Sequence, residues 1–306
     1  MSKIDIVIAT YNGEKYIKSQ LESIVSDECF DDFVSNIIIS DDNSTDETLK
    51  IINDFNHPKV KIYTNNGNSG VCGNFQNGLK QSTSELIILS DQDDVWKPNR
   101  ISVFIKGIES LDGKYKIFFS DLTVVDENLA VIHDSFWKSQ GIKPDRVFSE
   151  KNMVFQNVSP GCAMILNKDL LNLSMPFPEN IIMHDWWFLL LASSINASIG
   201  YTNESTILYR QHGGNVIGAK ALGFSSILKR ILNGECNSYY NNIKQAKSLN
   251  IHLKENNLFN ESIQIISHFD SMSTISRFKN SLLLNLTGSN VVRTIMLYLR
   301  ILTIRK

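Results

Sequence analysis

Several features are scarce in this 306-residue chain, and each scarcity closes a class of function. Charge of one sign is missing: 30 Lys and Arg stand against 32 Asp and Glu, a formal net charge of −2. Without a basic excess there is no whole-protein field to hold a polyanion, and nucleic-acid binding is set aside. Cysteine is sparse as well. Cys29, Cys72, Cys162 and Cys236 stand far apart, with no pair at the spacing of a thiolate zinc site. They read as reduced thiols of a cytosolic protein. No uninterrupted apolar run is long enough to span a bilayer. The start, Met1-Ser2-Lys3-Ile4-Asp5, leads into a strand pattern and not into a secretory signal. What is plentiful is hydrophobic side chain, 42% of residues, enough for a sizeable core in one large domain or a domain with an appendage.

The first half alternates strand and helix patterns. Ile4 to Ala9, Ile37 to Ser40, Val60 to Tyr63 and Leu86 to Ser90 are short β-rich runs. Between them, Ile17, Leu21, Ile24 and Val25 mark one helix face, Leu49, Ile52 and Phe55 a second, and Cys72, Phe75 and Leu79 a third. Ser44 and Glu47 have the spacing of a capping box. Strands too apolar to face water, alternating with helices, predict an α/β fold with a mostly parallel sheet flanked by helices. In such sheets ligands bind beyond the carboxyl ends of the strands. Three of those ends carry polar clusters: Thr10-Tyr11-Asn12, Asp41-Asp42-Asn43 and Asp91-Gln92-Asp93-Asp94. The fourth leads into the loop from Asn65 to Gly70. One site assembled from four loops is expected. The second half is less regular. Ile117 to Asp121 and Pro160 to Leu166 read as strands, a helix opens at His184-Asp185, and Thr206 to Tyr209 leads into Arg210-Gln211-His212-Gly213-Gly214-Asn215. From about Ala221 the chain looks helical, with joints near Asn233 and Asn256.

Four constellations carry chemistry. Asp91 and Asp93, two positions apart at a strand end, can aim into one cavity, and hard oxygen donors of this kind suit Mg²⁺ or Mn²⁺. The alternative is an acidic surface turn. Asp41 and Asp42 can accept hydrogen bonds from a base or ribose, or can simply start a helix. Ser69-Gly70 allows close backbone approach to a ligand, or is a plain turn. Asp185, at a helix start beside Trp186 and Trp187, can serve as a general base with flat apolar faces nearby for a sugar. Adjacent helical positions cannot share a face, so one of the two tryptophans belongs to the core. Arg210 can offset diphosphate charge and His212 can ligate a metal, although a lone histidine is more often structural.

Together these segments resemble the family 2 inverting glycosyltransferases of GT-A fold. The matching segments are Ile6 to Gly13, Ser40-Asp41-Asp42-Asn43-Ser44-Thr45-Asp46, Asn68-Ser69-Gly70, Leu89-Ser90-Asp91-Gln92-Asp93-Asp94, Pro160-Gly161-Cys162-Ala163-Met164, His184-Asp185-Trp186-Trp187 and Tyr209 to Gly213 with Asn215. The Asp91 to Asp94 segment is similar to that of bacterial rhamnosyltransferases. The resemblance implies a Rossmann-like catalytic domain over residues 1–220, with a nucleotide-sugar half at 1–120 and an acceptor half at 121–220. It leaves a helical C-terminal extension at 221–306. It implies a nucleoside-diphosphate sugar as donor, dTDP-rhamnose first, and a glycan or lipid-linked acceptor in surface polysaccharide synthesis. Thr10, Tyr11, Asn12, Asp41, Asp42, Ser69, Gly70, Asp91 and Arg210 fall to the donor. Asp93 and His212 fall to a divalent cation, Asp185 to the base, and Gly161, Cys162, His184, Trp186 and Trp187 to the acceptor side. Many family members carry Glu before the base, where this chain has His184. Two alternatives stand beside this reading, a sugar nucleotidyltransferase and an inactive glycan-binding or assembly subunit. The first would carry a Gly-rich, basic loop after its first strand, unlike Thr10 to Glu14.

The tail is short of acid: no Asp or Glu follows Asp270, while Arg277, Lys279, Arg293, Arg300, Arg305 and Lys306 do. Val292, Ile295, Met296, Leu299 and Leu302 fall at helical spacing, with Leu297, Ile301 and Ile304 on the opposite side among Arg293 and Arg300. A basic amphipathic helix of this kind can lie on an anionic membrane, which places the protein in the cytoplasm, peripheral on the inner face of the cell membrane. Packing on the catalytic domain, or pairing of two subunits in a homodimer, is the equal alternative.

Overall fold

The computed structural model describes residues 2–213 and 238–304. Its leading strands are β1 (Ile4–Thr10), β2 (Val34–Asp41), β3 (Val60–Thr64) and β4 (Leu86–Asp91). They run in parallel in the order β3-β2-β1-β4. Ile4, Ile6, Val7 and Ile8 are all fully buried, because β1 is covered on both faces and successive side chains point to opposite sides. The covering helices are α1 (Ile17–Val25), α2 (Phe30–Phe33), α3 (Thr48–Phe55) and α4 (Val71–Leu79). Register aligns the strand ends: Thr10 lies opposite Asp41, Asp41 opposite Thr64, and Ala9 opposite Asp91. The four expected loops therefore emerge along one edge.

After β5 (Val95–Trp96) and α5 (Arg100–Glu109) come β6 (Lys116–Val125), β7 (Val131–His133), α6 (Phe136–Gln140), α7 (Glu150–Met153), β8 (Met164–Asn167), α8 (Lys168–Ser174), α9 (His184–Ser194) and β9 (Ser198–Arg210). The sheet continues as β4-β8-β6-β9-β5, with β7 on β6. β8 runs antiparallel to both β4 and β6, so the parallel pairing expected from the first half gives way to a mixed sheet. The strand-helix alternation that enforces parallel crossovers stops after α5.

Two core layers flank the sheet. One holds Ile6, Ile8, Leu21, Ile39 and Phe104; the other holds Val7, Ile38, Leu89, Phe75 and most of α9. α9 is apolar all round and buried all round, apart from Trp186. The C-terminal helices are α10 (Ser238–Glu255), α11 (Glu261–Ser267), α12 (Thr274–Leu283) and α13 (Val291–Leu302). Ile243, Leu249, Leu253 and Ile266 join the same core layer as α9. The Asn242 amide donates to the Val154 carbonyl at 2.6 Å and the Asn260 amide to that of Ser194 at 3.0 Å, so the extension is docked on the catalytic fold.

Two local readings change. Ser44 does not cap a helix: α3 starts at Thr48, whose amide bonds Asp46 Oδ1 at 3.0 Å, and the Ser44 hydroxyl turns instead to Asp41. In α13 the buried side is Met296, Leu297 and Ile301. Met296 thus leaves the outward stripe, while two of the residues read as intruding on a polar side do the packing. The joint near Asn233, and Asn215, lie outside the described residues.

Candidate active site

The loops after β1, β2 and β4 are stitched together by side chains. Thr10 Oγ1 donates to Asp41 Oδ1 at 3.1 Å, and the Ser44 hydroxyl and amide donate to the two oxygens of the same carboxylate at 2.6 and 2.9 Å. Asp41 is fully buried, so these bonds satisfy a charge that water does not reach. Asp42 turns the other way. Its oxygens accept from Asn65 Nδ2 at 2.8 Å and from the Gly70 amide at 2.7 Å, and it lines the cavity described below. Gly70 has φ +90°, a conformation that other residues avoid, at the start of α4. Asn12 accepts from the Thr45 amide at 2.9 Å, and Gln92 pairs with both the amide and the carbonyl of Tyr11 at 3.0 and 3.1 Å. The residue between the two acids of Asp91-Gln92-Asp93 thus locks one loop to the next.

A cavity of about 590 Å³ opens at this edge. Thr10, Tyr11, Asp42, Gly70, Asp91 and Asp93 line it from the first half of the chain, and Asn157, Gly161, Ile182, His184, Asp185 and Trp186 from the second. Of the remaining expected residues, Asn12, Asp41, Ser69, Cys162, Trp187, Arg210 and His212 do not line it. Asn12 and Asp41 hold loops. Trp187 is the core member of the tryptophan pair, with its indole N–H on the Ser174 carbonyl at 3.0 Å, while Trp186 faces the cavity. Cys162 is sealed behind the site.

Asp93 and His212 meet at the cavity edge, with Oδ2 and Nε2 2.7 Å apart and both side chains about 15% exposed. The His212 ring rests against Tyr16, with centroids 4.8 Å apart. Arg210 lies outside the cavity lining. It is 5% exposed, its Nε donates to the Asp93 carbonyl at 2.8 Å, one Nη donates to that of Glu127 at 2.6 Å, and its guanidinium lies 4.7 Å from the Tyr16 ring centroid. It braces the backbone of the Asp93 loop. A second donor set stands behind: single atoms of Asp91, Asp94 and Cys162 lie within 4.8 Å of one another. Asp94 and Cys162 are fully buried, and Arg100, itself buried between Trp96 and Phe104, already supplies positive charge to Asp94. A hard cation that keeps water and phosphate ligands needs open positions, so its chemistry fits Asp93 and His212 with Asp91 at the cavity side.

Burial shifts the titratable groups of the cavity. Burial raises the Asp91 carboxyl to about 7, helped by the charges of Asp93 and Asp185. Burial also raises Asp185 to about 6, against the opposing hydrogen bonds of the Trp186 amide, the Asn157 side chain and the Gly161 amide. Asn157 escaped the sequence reading because a lone Asn in an irregular loop carries no pattern. His184 is stacked on Phe75 with centroids 4.0 Å apart, and burial lowers it to about 3, so the ring is neutral. Gly161 is pressed between these groups: a Cβ there would lie 2.5 Å from His184 Nε2 and 3.4 Å from Asp185 Cβ.

A half-sheet of parallel strands, an acidic loop after the fourth, and an antiparallel return that brings a second carboxyl, Asp185, to the same cavity mark the GT-A class of glycosyltransferases. Residues 5–172 match the family described as Glycosyl transferase family 2, and the chain belongs to that family. Over 238 residues it is 31% identical to the dTDP-rhamnosyl transferase RfbG of Shigella flexneri, an alignment covering 73% of this chain and 78% of that protein. It is 29% identical over 236 residues to the UDP-Glc:alpha-D-GlcNAc-diphosphoundecaprenol beta-1,3-glucosyltransferase WfaP of Escherichia coli, covering 76% and 87%. Among solved structures, S. aureus TarS 1-349 in complex with UDP-GlcNAc superposes with a TM-score of 0.58 at 18% identity, over 90% of this chain and 75% of that one. The glucosyl-3-phosphoglycerate synthase of Mycobacterium tuberculosis, solved with Mn²⁺ and UDP, does so with a TM-score of 0.52 at 14% identity, covering 85% and 82%. These two establish a shared fold. The protein is thus a glycosyltransferase, and the nucleotidyltransferase alternative falls away. No helix among the described residues is long and apolar enough to cross a membrane.

Proposed function

We propose that this enzyme transfers a sugar, rhamnose from dTDP-rhamnose in the first instance, onto a lipid-linked glycan acceptor in surface polysaccharide synthesis, with inversion at the anomeric carbon. The observation that carries the reading is that one cavity is lined by two unlike groups: Asp93, with His212 beside it at the cavity edge, and Asp185, a carboxyl raised by burial to about 6. Similarity to a dTDP-rhamnosyl transferase supports the donor, and similarity to a glucosyltransferase named for a diphosphoundecaprenol acceptor supports the lipid-linked acceptor.

In this reading Thr10, Tyr11, Asp42 and Gly70 bind the nucleoside, with Asp41, Asn12 and Ser69 shaping their loops. Asp93, His212 and Asp91 hold a divalent cation, Mg²⁺ or Mn²⁺, which when bound supplies Lewis-acid stabilisation for the departing diphosphate. Arg210 fixes the Asp93 backbone. Asp185 takes the proton from the attacking acceptor hydroxyl, and the hydrogen bonds from Asn157 and Gly161 hold it in place for that transfer. Trp186 offers its ring face to the acceptor sugar. The catalytic unit is residues 1–220, extended by the helices that follow, and it works in the cytoplasm at the inner face of the cell membrane.

The test is direct. The protein is offered dTDP-rhamnose, UDP-glucose and UDP-GlcNAc in turn, with Mn²⁺ or Mg²⁺, and protection against thermal unfolding and sugar release are measured. dTDP-rhamnose is expected to protect and to turn over. Preference for a UDP-sugar overturns the donor assignment, and no response to any of the three overturns the reading.

A further inference from the structure

α12 is built inside out. Its buried positions are Arg277 and Ser281, while Ile275, Phe278, Leu282 and Leu283 face outward, Ile275 at 82% and Leu283 at 73% exposure. α13 is apolar on two sides. Met296, Leu297 and Ile301 pack inward, yet Val291, Val292, Ile295 and Leu299 stand exposed. A helix needs one apolar face to dock, and its second is ordinarily polar.

The two helices form one unit. Arg277 Nη1 donates to the carbonyls of Ile301 and Ile304 at 3.0 and 2.8 Å, at the end of α13 where a cation suits the helix dipole. Phe278 lies edge-on to Tyr298, whose hydroxyl donates to the Ser281 carbonyl at 3.1 Å. That unit is fastened to the cavity rim. Arg293 donates to the carbonyls of Gly141 and Gln140 at 3.0 and 2.6 Å, and Arg146 reaches back to that of Gly288 at 2.9 Å. Gln140 and Ile142 line the cavity. The charge is one-sided: no acid follows Asp270, and Lys279 sits exposed among the outward apolar residues of α12.

We propose that the outer face of α12 and α13 is a docking surface for an anionic lipid bilayer, which sets the cavity mouth beside the membrane where a lipid-linked acceptor presents its sugar. The second half of that statement rests on the acceptor class proposed above; the surface itself does not. Exposed apolar side chains enter the interface, and Lys279 and Arg293, exposed on two helices that carry no acid, are drawn to anionic headgroups. A second copy of this chain is the poorer occupant, because pairing this face with itself sets like charges together.

The experiment mixes the full-length protein with phosphatidylcholine vesicles, with and without phosphatidylglycerol, and measures co-sedimentation. The wild type is compared with Ile275→Glu/Leu282→Glu and Ile295→Glu/Leu299→Glu. All four positions are exposed, so both variants should keep the wild-type unfolding temperature and transfer to a water-soluble acceptor. The wild type is expected to bind the anionic vesicles roughly ten-fold more strongly than the neutral ones, and both variants are expected to stay in the supernatant. A wild type that stays in the supernatant, or variants that sediment like it, overturn the proposal. So does a wild-type dimer, seen by analytical ultracentrifugation, that these substitutions split without any vesicle binding by the wild type. Vesicle binding is read without donor or acceptor, so a failure of sugar transfer counts only against the proposed reaction.

Discussion

The Asp93 carboxylate and the His212 imidazole meet at 2.7 Å across 119 positions of sequence. Brought together from the ends of β4 and β9 at an open edge, this carboxylate and imidazole would hold a divalent cation in the proposed reading. Asp93→Ala should abolish transfer while leaving the circular dichroism spectrum unchanged. His212→Ala should raise the cation concentration for half-maximal rate by roughly 10- to 100-fold, the scale seen when a ligand shell is weakened. Undiminished activity of Asp93→Ala, or of the wild type in excess chelator, would refute the assignment.

Asp185→Asn keeps the size of the side chain and removes its basicity. The loss of a general base costs roughly 10²- to 10⁴-fold in rate. Calorimetry should show donor affinity intact, since the nucleoside is assigned to Thr10, Tyr11, Asp42 and Gly70 and not to Asp185. Loss of donor binding would move the residue out of the base role.

The pH profile follows from the same carboxyl. Burial favours its protonated form and sets it at about 6. The active form is the ionised one, so kcat/KM should fall as pH drops through about 6 and level off above it. A profile flat from pH 5 to 7 would show that Asp185 does not limit the reaction.

Gly161→Ala tests the packing behind the base. The added methyl would lie 2.5 Å from His184 Nε2, closer than atoms settle, so His184 or the 161 backbone must move. The Gly161 amide that bonds Asp185 would move with it. Transfer should drop at least ~10-fold in kcat, with donor affinity retained. An unchanged kcat would mean that this loop yields without disturbing the base.

Asp41→Ala removes three hydrogen bonds inside the fold and leaves the Thr10 hydroxyl and Ser44 amide without their acceptor. Urea unfolding should show a loss of about 1–3 kcal/mol, the scale for orphaned buried donors. Asp42→Ala, at the cavity side, should weaken nucleotide affinity more than it lowers stability. The reverse pattern would exchange the two roles.

The nucleotide half was legible because its physics is local. Apolar runs at strand length, helical spacing and polar strand ends fixed β1 to β4, α1, α3 and α4 and the edge where the loops meet. The pair at 184–185 was found because a carboxylate opening an apolar helix stands out. The rest depended on which way side chains turn. Asp41 and Asp42 are adjacent and chemically alike, and only the tertiary contacts decide that one holds the loop and the other faces the cavity. Arg210 and Cys162 lie beside site residues in sequence, yet burial takes both out of the cavity. The inverted exposure of α12 was likewise hidden, since an apolar residue at helical spacing does not tell which side its neighbours cover.

β4 and β8 run antiparallel, with Leu86 opposite Asn167 and Ile88 opposite Ile165. The loop that follows one strand and the loop that precedes the other therefore leave the sheet side by side, one carrying Asp91 and Asp93, the other Asn157 and Gly161. One residue inserted into either strand would slide that edge by about 3.3 Å and turn every later side chain of the strand to the opposite face. Length changes should therefore be excluded from these two strands across related enzymes. The exposed residues 128–130 lie beyond Glu127, whose carbonyl holds Arg210 and whose side chain pairs with Lys15, and should accept them more readily.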